Sequence, residues 1–408
     1  MIENLRKYIK GDMIIWGVVI GLSLFSLLAV YSAADTVFYS PGKAQNISVM
    51  VKHFSILMVG LIFLFVAHRV PVNYYKKLSV FMMMVSVPLL LITLLLGVSV
   101  NQASRWLEIP GLGLSLQTSD LAKVAVMMFL ARGLSLYQHQ LKDFKKGFLP
   151  VVLPVLVVCA LILPANFSTA ALLFLSALIL MFIGQVKISH LFLLVGACIV
   201  VMGLFVGSGL MLKKVHLGDN PVTQRVDTWI NRLDHFSNGE SDIRGADFQA
   251  EQAKIAIASG GIVGRGPGNS NQRVILPKSY NDFIYAIIIE EYGFTGGAVL
   301  LMLYLILLFR AGVIVQKCDR VFPAMLAMGL TLMLVLQSIV NMAVVVGLLP
   351  VTGQTLPLVS MGGSSLIFST FALGVVLSVS RENKINQGKE VPSAVPYTPE
   401  EDIPSENE

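Results

Sequence analysis

Residues 13–30 read MIIWGVVIGLSLFSLLAV, an apolar run of 18 residues without a charged side chain. A stretch of about 17 to 25 apolar residues is long enough to cross the hydrocarbon core of a bilayer as an α-helix. Basic residues Arg6, Lys7 and Lys10 precede the run, which is too long for the apolar core of a signal peptide. The run is therefore predicted to be a retained membrane anchor.

Nine further apolar runs follow along the chain, and they are continuously apolar rather than alternating. This pattern favours helices over the strands of a membrane barrel. The predicted fold is an all-α polytopic membrane protein of about ten transmembrane helices, with one large extracytoplasmic loop between spans 7 and 8. The predicted spans begin near Met13, Ile47, Ser79, Gln117, Phe148, Phe167, Ile188, Phe283, Val321 and Leu358.

The composition excludes a soluble protein of this length. Hydrophobic residues make up 55% of the 408 residues and charged residues only 13%, whereas a soluble domain carries roughly 25% charged residues. The three cysteines, Cys159, Cys198 and Cys318, lie in or beside apolar segments without metal-ligand spacing.

The distribution of basic residues predicts the orientation. With the N-terminus inside, the cytoplasmic segments hold 17 of the 30 Lys and Arg residues, and the short outer segments hold only Lys43, Lys52 and Arg105. Positive residues stay on the cytoplasmic side of membrane proteins, so both termini are expected in the cytoplasm. The net charge of +6 is thereby explained by topology, and no nucleic-acid partner is required.

The predicted spans divide the chain into five parts. Residues 1–12 form a cytoplasmic N-terminus, 13–210 hold spans 1 to 7, and 283–381 hold spans 8 to 10. Residues 382–408 are rich in Glu, Pro, Ser and Asn and are predicted to be a disordered cytoplasmic tail. The remaining segment, 211–282, is the long outer loop.

The outer loop is polar and mixed in charge, with nine Lys or Arg and eight Asp or Glu. Loops beyond about 15 residues in a compact protein are usually functional or disordered. Helical-looking stretches at 227–236 and 248–258 favour an ordered functional loop.

Five glycines lie between Gly260 and Gly268, beside Arg265, Arg273 and Lys278. A glycine-rich backbone can approach a ligand closely and offer N–H groups to an anion, so a diphosphate head group would fit here. A flexible turn that returns the chain to the membrane explains the glycines equally well. No βαβ unit surrounds them, so they are not a dinucleotide fingerprint.

Asp282 stands where the chain re-enters the membrane. A carboxylate partly shielded from water has a raised pKa and can act as a general base. A simple helix N-cap is the structural alternative, and the sequence alone favours it. Glu290 and Glu291 follow deeper in the span, where ionisable groups are functional by default or paired with a hidden cation.

Two more charged residues, Asp120 and Lys123, lie within a predicted span. At positions i and i+3 they share a helix face and can neutralise each other, or they can line a polar cavity. Arg105 and Trp106, just outside the third span, suit the lipid head-group region.

The segment GLLPVTGQTLPLVSMGGSSL, residues 347–366, is rich in Pro and Gly between two spans. Non-helical backbone at membrane depth needs protein or a water-filled cavity around it. This indicates a re-entrant wall of a cavity, with Ser360, Ser364 and Ser365 as its polar lining. The six histidines show no paired spacing, so no metal site is assigned.

Together these blocks resemble the SEDS family of cell-wall proteins, which has division, elongation and sporulation members. The family's Arg-Trp and Gln-Pro-Ser-Glu-x-Ala-Lys patterns are similar to Arg105-Trp106 and residues 117–123. The Gln-x-x-x-Ala-Ile-x-x-Gly-Gly block matches Gln252 to Gly261, and Leu-Pro-x-x-x-x-Asp-Phe-Ile-Phe matches 276–285. The Gly-x-x-Pro-x-Thr-Gly…Leu-Pro-x-x-Ser-x-Gly-Gly-Ser-Ser signature, preceded by Asn341, covers 347–365.

The resemblance implies a peptidoglycan glycosyltransferase that polymerises lipid II at the outer face of the bacterial cytoplasmic membrane. Asp282 would take the proton of the GlcNAc 4-hydroxyl of one lipid II, whose oxygen then attacks the anomeric carbon of the growing glycan chain as polyprenyl diphosphate leaves. Substrate-binding roles are implied for Arg105, Lys123, Gln252, Gly261, Arg265, Arg273, Lys278, Ser360 and Ser364, and structural or cavity roles for Asp120, Glu290 and Glu291.

The resemblance also implies partners. These are a class B penicillin-binding protein that cross-links the glycan and other membrane proteins of the division machinery, within the lipid bilayer. The departing diphosphate needs a positive charge, which the basic residues or a divalent cation such as Mg²⁺ or Mn²⁺ could supply. No cofactor is assigned.

The chain departs from the family pattern at several positions. The family's Pro-Asp-x-Gly-Thr-Ala block is Ala165-Asn166-Phe167-Ser168-Thr169-Ala170 here, so an amide replaces a carboxylate at Asn166. An acid–base or metal role for this position is not expected in this chain. Asp120 replaces Glu, which keeps the charge on a shorter side chain.

The block Gly264–Ser270 and the long tail are more similar to the division members, which favours septal cell-wall synthesis. The alternatives are an elongation-type polymerase, a lipid II flippase that uses the intramembrane charges, and a scaffold that only positions the transpeptidase.

Overall fold

The computed structural model describes residues 10–33, 43–96, 98–100, 103–109, 114–214, 246–276 and 280–389. Within these ranges the chain is helical apart from one small sheet and short connections. The helices are α1 Met13–Ala33, α2 Lys43–Arg69, α3 Val72–Leu96, α4 Thr118–Leu136, α5 Leu149–Ile162, α6 Phe167–Ile183, α7 Ile188–Lys214, α8 Ala246–Gly260, α9 Gln272–Ile275, α10 Ile284–Gln316, α11 Val321–Val345 and α12 Gly363–Lys389.

Ten of these helices correspond to the ten predicted spans. Eight helical segments, including α5 together with the π-helix Phe144–Phe148 that precedes it, are long and apolar enough to cross a membrane. α6 is apolar but has 17 residues. α4 has 19 residues and contains Asp120 and Lys123. The fold of a multi-pass helical membrane protein is therefore confirmed.

A small antiparallel sheet, which the sequence did not predict, connects α3 to α4. Its strands β1 Val98–Val100, β2 Ala103–Ile109 and β3 Leu114–Gln117 pair in that order. Strands of three to seven residues leave too short an alternation to be recognised in a polar connection. β3 leads directly into α4, so the sheet fixes the start of that helix.

α11 and α12 form the centre of the bundle and are buried along most of their length. α11 packs against α4, α6, α10 and α12. Glycine allows close approach of the helices: a Cβ on Gly329 would lie 2.6 Å from Leu180 Cδ2. Helix pairs in membranes associate through such small residues.

α2 and α12 cross at similarly short range. A Cβ on Gly374 would lie 2.5 Å from the Leu64 carbonyl oxygen, and one on Gly60 would lie 2.8 Å from Leu366 Cδ2. The second and last helices are thus packed backbone to backbone. α7, by contrast, is almost entirely exposed and contacts mainly α6.

The beginning of α1 and the end of α12 lie on the same side of the bundle. Lys384 Nζ donates to the Gly11 carbonyl at 2.6 Å, and Arg310 pairs with Asp12. We call this the terminal side, and the opposite side, which carries the sheet, α8 and α9, the loop side. Both ends of the described chain therefore face the same way.

α10 is divided by a kink at Gly293, which has φ +70° and ψ −173°. A straight helix of 33 residues would be about 50 Å long, more than a bilayer requires. The kink separates a buried segment, 284–292, from an apolar segment, 294–316, that is long enough to cross the membrane. The predicted eighth span, which began near Phe283, therefore starts with a buried segment that packs against α8.

The structure bears on two predictions, the helical stretches of the outer loop and the start of the C-terminal tail. The helical stretch expected at 248–258 lies within α8, whereas 227–236 falls outside the described residues. α12 continues to Lys389, so the first residues of the predicted tail are helical rather than irregular. Glu382 explains part of this extension, because its carboxylate accepts a hydrogen bond from the Val72 N–H at 2.9 Å.

Candidate functional site

Asp282 lies in the turn that leads into α10 on the loop side, and its side chain is half-buried. The N-cap residue of α10 is Phe283, whose side chain makes no cap bond. The N-cap explanation that the sequence favoured for Asp282 is therefore wrong, because the helix begins two residues later. Phe283 and Ile284 are buried, so the carboxylate stands at the edge of an apolar wall.

The backbone around Asp282 is fixed from two directions. Asn341 Nδ2, near the end of α11, donates to the Asp282 carbonyl at 2.9 Å. The Met361 N–H donates to the Tyr280 carbonyl at 2.9 Å. Met361 belongs to the non-helical segment 346–362, which we call the re-entrant segment. The turn is thus held against α11 and the re-entrant segment.

Asp120 and Lys123 form an ion pair in the first turns of α4. Lys123 Nζ lies 2.9 Å from Asp120 Oδ1, and both side chains are about 95% buried. Lys123 also donates to Gln337 Oε1 of α11 at 2.9 Å. Gln337 Nε2 in turn donates to the Thr355 carbonyl at 2.8 Å. The pair is therefore neutralised internally and connected to the re-entrant segment.

The serines that were expected to line a cavity are Ser360, in the re-entrant segment, and Ser364 and Ser365, in the first turn of α12. Ser364 Oγ donates to Asp120 Oδ2 at 3.3 Å and accepts from the Gln117 N–H at 3.0 Å. Ser360 Oγ accepts from the Leu356 N–H at 2.8 Å, so it stabilises the segment itself. Ser365 and Thr355 hydroxyls are 3.0 Å apart. Ser360 and Ser364 are buried and already bonded within the protein.

Glu290 is fully buried and organises the loop after α8. Its carboxylate accepts from the hydroxyls of Ser259 at 3.2 Å and Ser270 at 2.5 Å. It also accepts from the backbone N–H groups of Asn271 at 3.0 Å and Gln272 at 3.3 Å. Glu290 is therefore ligated chiefly by neutral donors.

Glu291 and the two arginines complete this cluster. Ser32 Oγ, at the end of α1, donates to Glu291 Oε1. Arg273 Nη1 donates to the Ser32 carbonyl at 3.5 Å. Arg265 Nη1 is 3.8 Å from Glu290 Oε1, and its side chain is 39% exposed. Arg265 is thus the member of the cluster that most readily reaches a ligand outside the protein.

The five glycines between Gly260 and Gly268 allow the loop after α8 to pack closely against the backbone of α10. The N–H groups of Arg265 and Gly266 donate to the Glu290 and Glu291 carbonyls at 3.0 and 2.9 Å. The Gly261 carbonyl accepts from the Phe294 N–H at 2.9 Å. A Cβ on Gly264 would lie 2.2 Å from the Glu291 carbonyl oxygen. We call this close contact between the two backbones the glycine crossing. Several of the N–H groups that would have bound an anion are used in it.

Three comparisons with known proteins bear on this arrangement. The model of the FtsW/RodA/SpoVE family, described as cell cycle proteins, matches residues 12–385. This chain belongs to that family. A relative from Trichlorobacter lovleyi, named probable peptidoglycan glycosyltransferase FtsW, is 31% identical over 395 residues, which cover 94% of this chain and 98% of the relative.

Two solved structures of the family share the fold. The first comes from work on the structural coordination of polymerization and crosslinking by a peptidoglycan synthase complex; its TM-score is 0.69 at 25% identity, over 91% of this chain and 98% of that chain. The second, the rod shape determining protein RodA of Thermus thermophilus, has a TM-score of 0.63 at 25% identity, over 91% of this chain and 97% of that chain. The resemblance to the SEDS family is thereby confirmed.

The other predicted site residues of this family member are dispersed. Gln252 is half-buried in α8, and Gly261 is exposed with φ +56°. Arg105 lies in β2, where the backbone alone is described, and Lys278 lies outside the described residues. The two hydrogen bonds that tether the backbone of the Asp282 turn therefore come from α11 and the re-entrant segment rather than from these residues.

Two connecting residues, Gln337 and Asn341, were not among the predicted site residues. They stand four residues apart in α11, so they share one face of a mainly apolar helix whose other polar residues are Thr331 and Ser338. Polar side chains within a membrane helix are a functional signal that the sequence did contain. Their partners, Thr355 and Gln354, could not be read from it.

No group of three or more His, Cys, Asp or Glu residues that could hold a metal ion occurs among the described residues. No residue is therefore assigned to the divalent cation. The side chains present can orient a polar head group, hold a proton at Asp282 and keep the charges of α4 balanced.

Proposed function

We propose that this chain, a peptidoglycan glycosyltransferase of the SEDS family, polymerises lipid II with Asp282 as the general base. The observation that carries the proposal is the half-buried carboxylate of Asp282 at the start of α10, on a backbone tied to α11 and the re-entrant segment. A base must be held within hydrogen-bond reach of the proton it removes, and this tethering supports such a role.

The reaction transfers one glycosyl group. The 4-hydroxyl oxygen of the GlcNAc of one lipid II forms a bond with the anomeric carbon of the growing chain, and the bond from that carbon to the polyprenyl diphosphate breaks. Asp282 takes the hydroxyl proton. Arg265, exposed beside the glycine crossing, is positioned to offer positive charge to the departing diphosphate.

The relatives and the distribution of basic residues support a cellular role in septal synthesis at the outer face of the membrane. The curated relatives named FtsW favour septal cell-wall synthesis over elongation. The solved synthase complex supports a class B penicillin-binding protein as the partner. The excess of basic residues in the segments on the terminal side supports cytoplasmic termini, and it equally supports an outer-face location for Asp282 on the loop side.

The test is polymerisation of labelled lipid II in proteoliposomes with the partner transpeptidase, with glycan ladders resolved on gels. Asp282→Asn should abolish ladders, whereas Asp319→Asn, an exposed carboxylate beyond the other end of α10, should leave them unchanged. Equal ladders from wild type and Asp282→Asn would remove Asp282 from the chemistry. Lipid II transfer between leaflets without ladders, under conditions where an unrelated polymerase works, would favour the flippase.

A further inference from the structure

Asn341 holds two segments of backbone together with one amide group. Its Nδ2 donates to the Gln354 carbonyl at 2.6 Å and to the Asp282 carbonyl at 2.9 Å, which uses both hydrogens. The opposite orientation of the amide would set Oδ1 against two carbonyl oxygens, so these contacts fix the orientation. Asn341 is 2% exposed.

The contacts of Gln354 extend this connection to another helix. Gln354 Nε2 donates to Thr169 Oγ1 of α6 at 2.6 Å. The Thr169 N–H donates to Asn166 Oδ1, the N-cap of α6, at 3.2 Å. A chain of hydrogen bonds therefore runs from the start of α6 through Gln354 and Asn341 to the backbone of Asp282.

The arrangement of α11 separates this chain from the charges of α4. Gln337, one turn before Asn341, donates to the next carbonyl of the re-entrant segment, that of Thr355. It reaches Lys123 rather than Asp282. Asn341 and Gln337 thus bond to the adjacent carbonyls of Gln354 and Thr355. The second contact of Asn341 is the backbone of Asp282, whereas that of Gln337 is Lys123.

We propose that Asn341 is a positioning residue that sets the location of the Asp282 carboxylate through its backbone. This inference rests on the proposed function, because it concerns the same base. The carbonyl and the side chain of Asp282 share one Cα, so loss of the Asn341 bond allows the turn to shift as a unit. A displacement of about 1 Å at a reacting group can reduce the rate about 100-fold.

The test is a double-mutant cycle in the lipid II polymerisation assay with the partner transpeptidase. Asn341→Leu keeps the volume of the side chain and removes both donors. We expect kcat to fall about 10- to 100-fold with KM changed less than about threefold, since the base moves while the binding surface remains. Asp282→Glu is the second mutation of the cycle. It keeps a carboxylate but places it one methylene group further from the backbone.

The two effects should be non-additive, because both changes displace the same carboxylate. Gln337→Leu is the matched control, because it removes an equally buried amide from the same face. In the double mutant, its fold-reduction in kcat should multiply with that of Asp282→Glu. A kcat for Asn341→Leu within about twofold of wild type, or effects that multiply as in the control, would overturn the inference.

Failure of the proposed function gives a different result. Full activity in Asp282→Asn would overturn the assignment of Asp282 as the general base. An inactive Asp282→Asn together with a fully active Asn341→Leu would overturn only the positioning role of Asn341. If Asn341→Leu does not fold, Asn341→Ser is measured in the same cycle and judged by the same non-additivity.

Discussion

Two buried carboxylates on the loop side, Asp120 and Glu290, are stabilised in opposite ways. Asp120 is balanced by a full positive charge, Lys123, and its second oxygen meets the Ser364 hydroxyl. Glu290 is balanced mainly by two hydroxyls and two backbone N–H groups, with Arg265 at the longer distance of 3.8 Å. One site is an ion pair and the other is a cradle of neutral donors.

The difference separates two structural tasks. The ion pair joins α4 to α11 and, through Gln337, to the re-entrant segment, elements far apart in the chain. The cradle joins α10 to residues only 18 to 31 positions earlier and fixes the loop after α8. Changes at the first are expected to alter both the bundle and the chemistry, whereas changes at the second act on the loop.

The largest effect is expected from Lys123→Met. It leaves Asp120 as an uncompensated buried charge, and loss of one partner of a buried pair costs about 3–5 kcal/mol. Thermal unfolding of the detergent-solubilised protein measures it. Adding Asp120→Asn to Lys123→Met should recover much of the loss. A single-variant loss below about 1 kcal/mol would show that water reaches the pair.

Glu290→Gln should cost less, about 2–3 kcal/mol, because four donors then face an amide that can accept at only one atom. The damage should remain in the loop after α8, so limited proteolysis there should accelerate more than global unfolding. Glu251→Gln, an exposed carboxylate of α8, is the control and should change neither rate. Equal proteolysis of both variants would contradict the role of Glu290 in fixing the loop.

A smaller difference in stability is expected between two glycines of the glycine crossing. Gly264 and Gly268 have φ +88° and +78°, but only at Gly264 would a Cβ meet backbone, at 2.2 Å, whereas nothing lies within 4 Å at Gly268. Alanine at either position incurs the left-handed strain. We expect Gly264→Ala to lower the free energy of unfolding by about 1–2 kcal/mol more than Gly268→Ala. Equal losses in chemical denaturation would show that the crossing relaxes.

The smallest effect concerns Asp12, a carboxylate on the terminal side. Burial raises its pKa, but hydrogen bonds from Arg310 and from the Ile14 and Ile15 N–H groups outweigh this, so the net pKa lies below the ordinary 3.8. Its contribution is therefore complete above pH 3.8 and is lost as the pH falls through the lower folded-state pKa. Asp12→Asn should cost up to about 1 kcal/mol at pH 7 and nothing at strongly acidic pH. Unfolding measured across pH checks this, and a constant difference would contradict it.

Much of the fold could be predicted because lipid imposes a simple rule on each span. The apolar runs that begin at Met13, Phe167, Ile188 and Val321 begin helices at those residues. The kink at Gly293 could not be predicted, since a glycine within an apolar run is compatible with a straight helix. It depends on the approach of the Ile262 backbone, which is distant in the sequence.

The candidate site was predictable in its residue types but not in its pairings. Asp120 and Lys123 do pair, because i and i+3 spacing is local. The donors of Glu290 and the bonds of Asn341 join residues whose proximity results from the packing of whole helices. The sequence suits an anion site and a turn equally well at Gly260 to Gly268, and the structure shows that Gly260 and Gly264 serve close backbone packing against α10.

The close crossing of α2 and α12 has a consequence for biogenesis. The face of α2 around Gly60 packs against α12, which leaves the ribosome after all the other described helices. Until then, that face lacks its native partner, so the contact between α2 and α12 forms as a late step of synthesis. Chains that stop before Gly374 would insert their earlier spans and still lack the contact that closes the bundle.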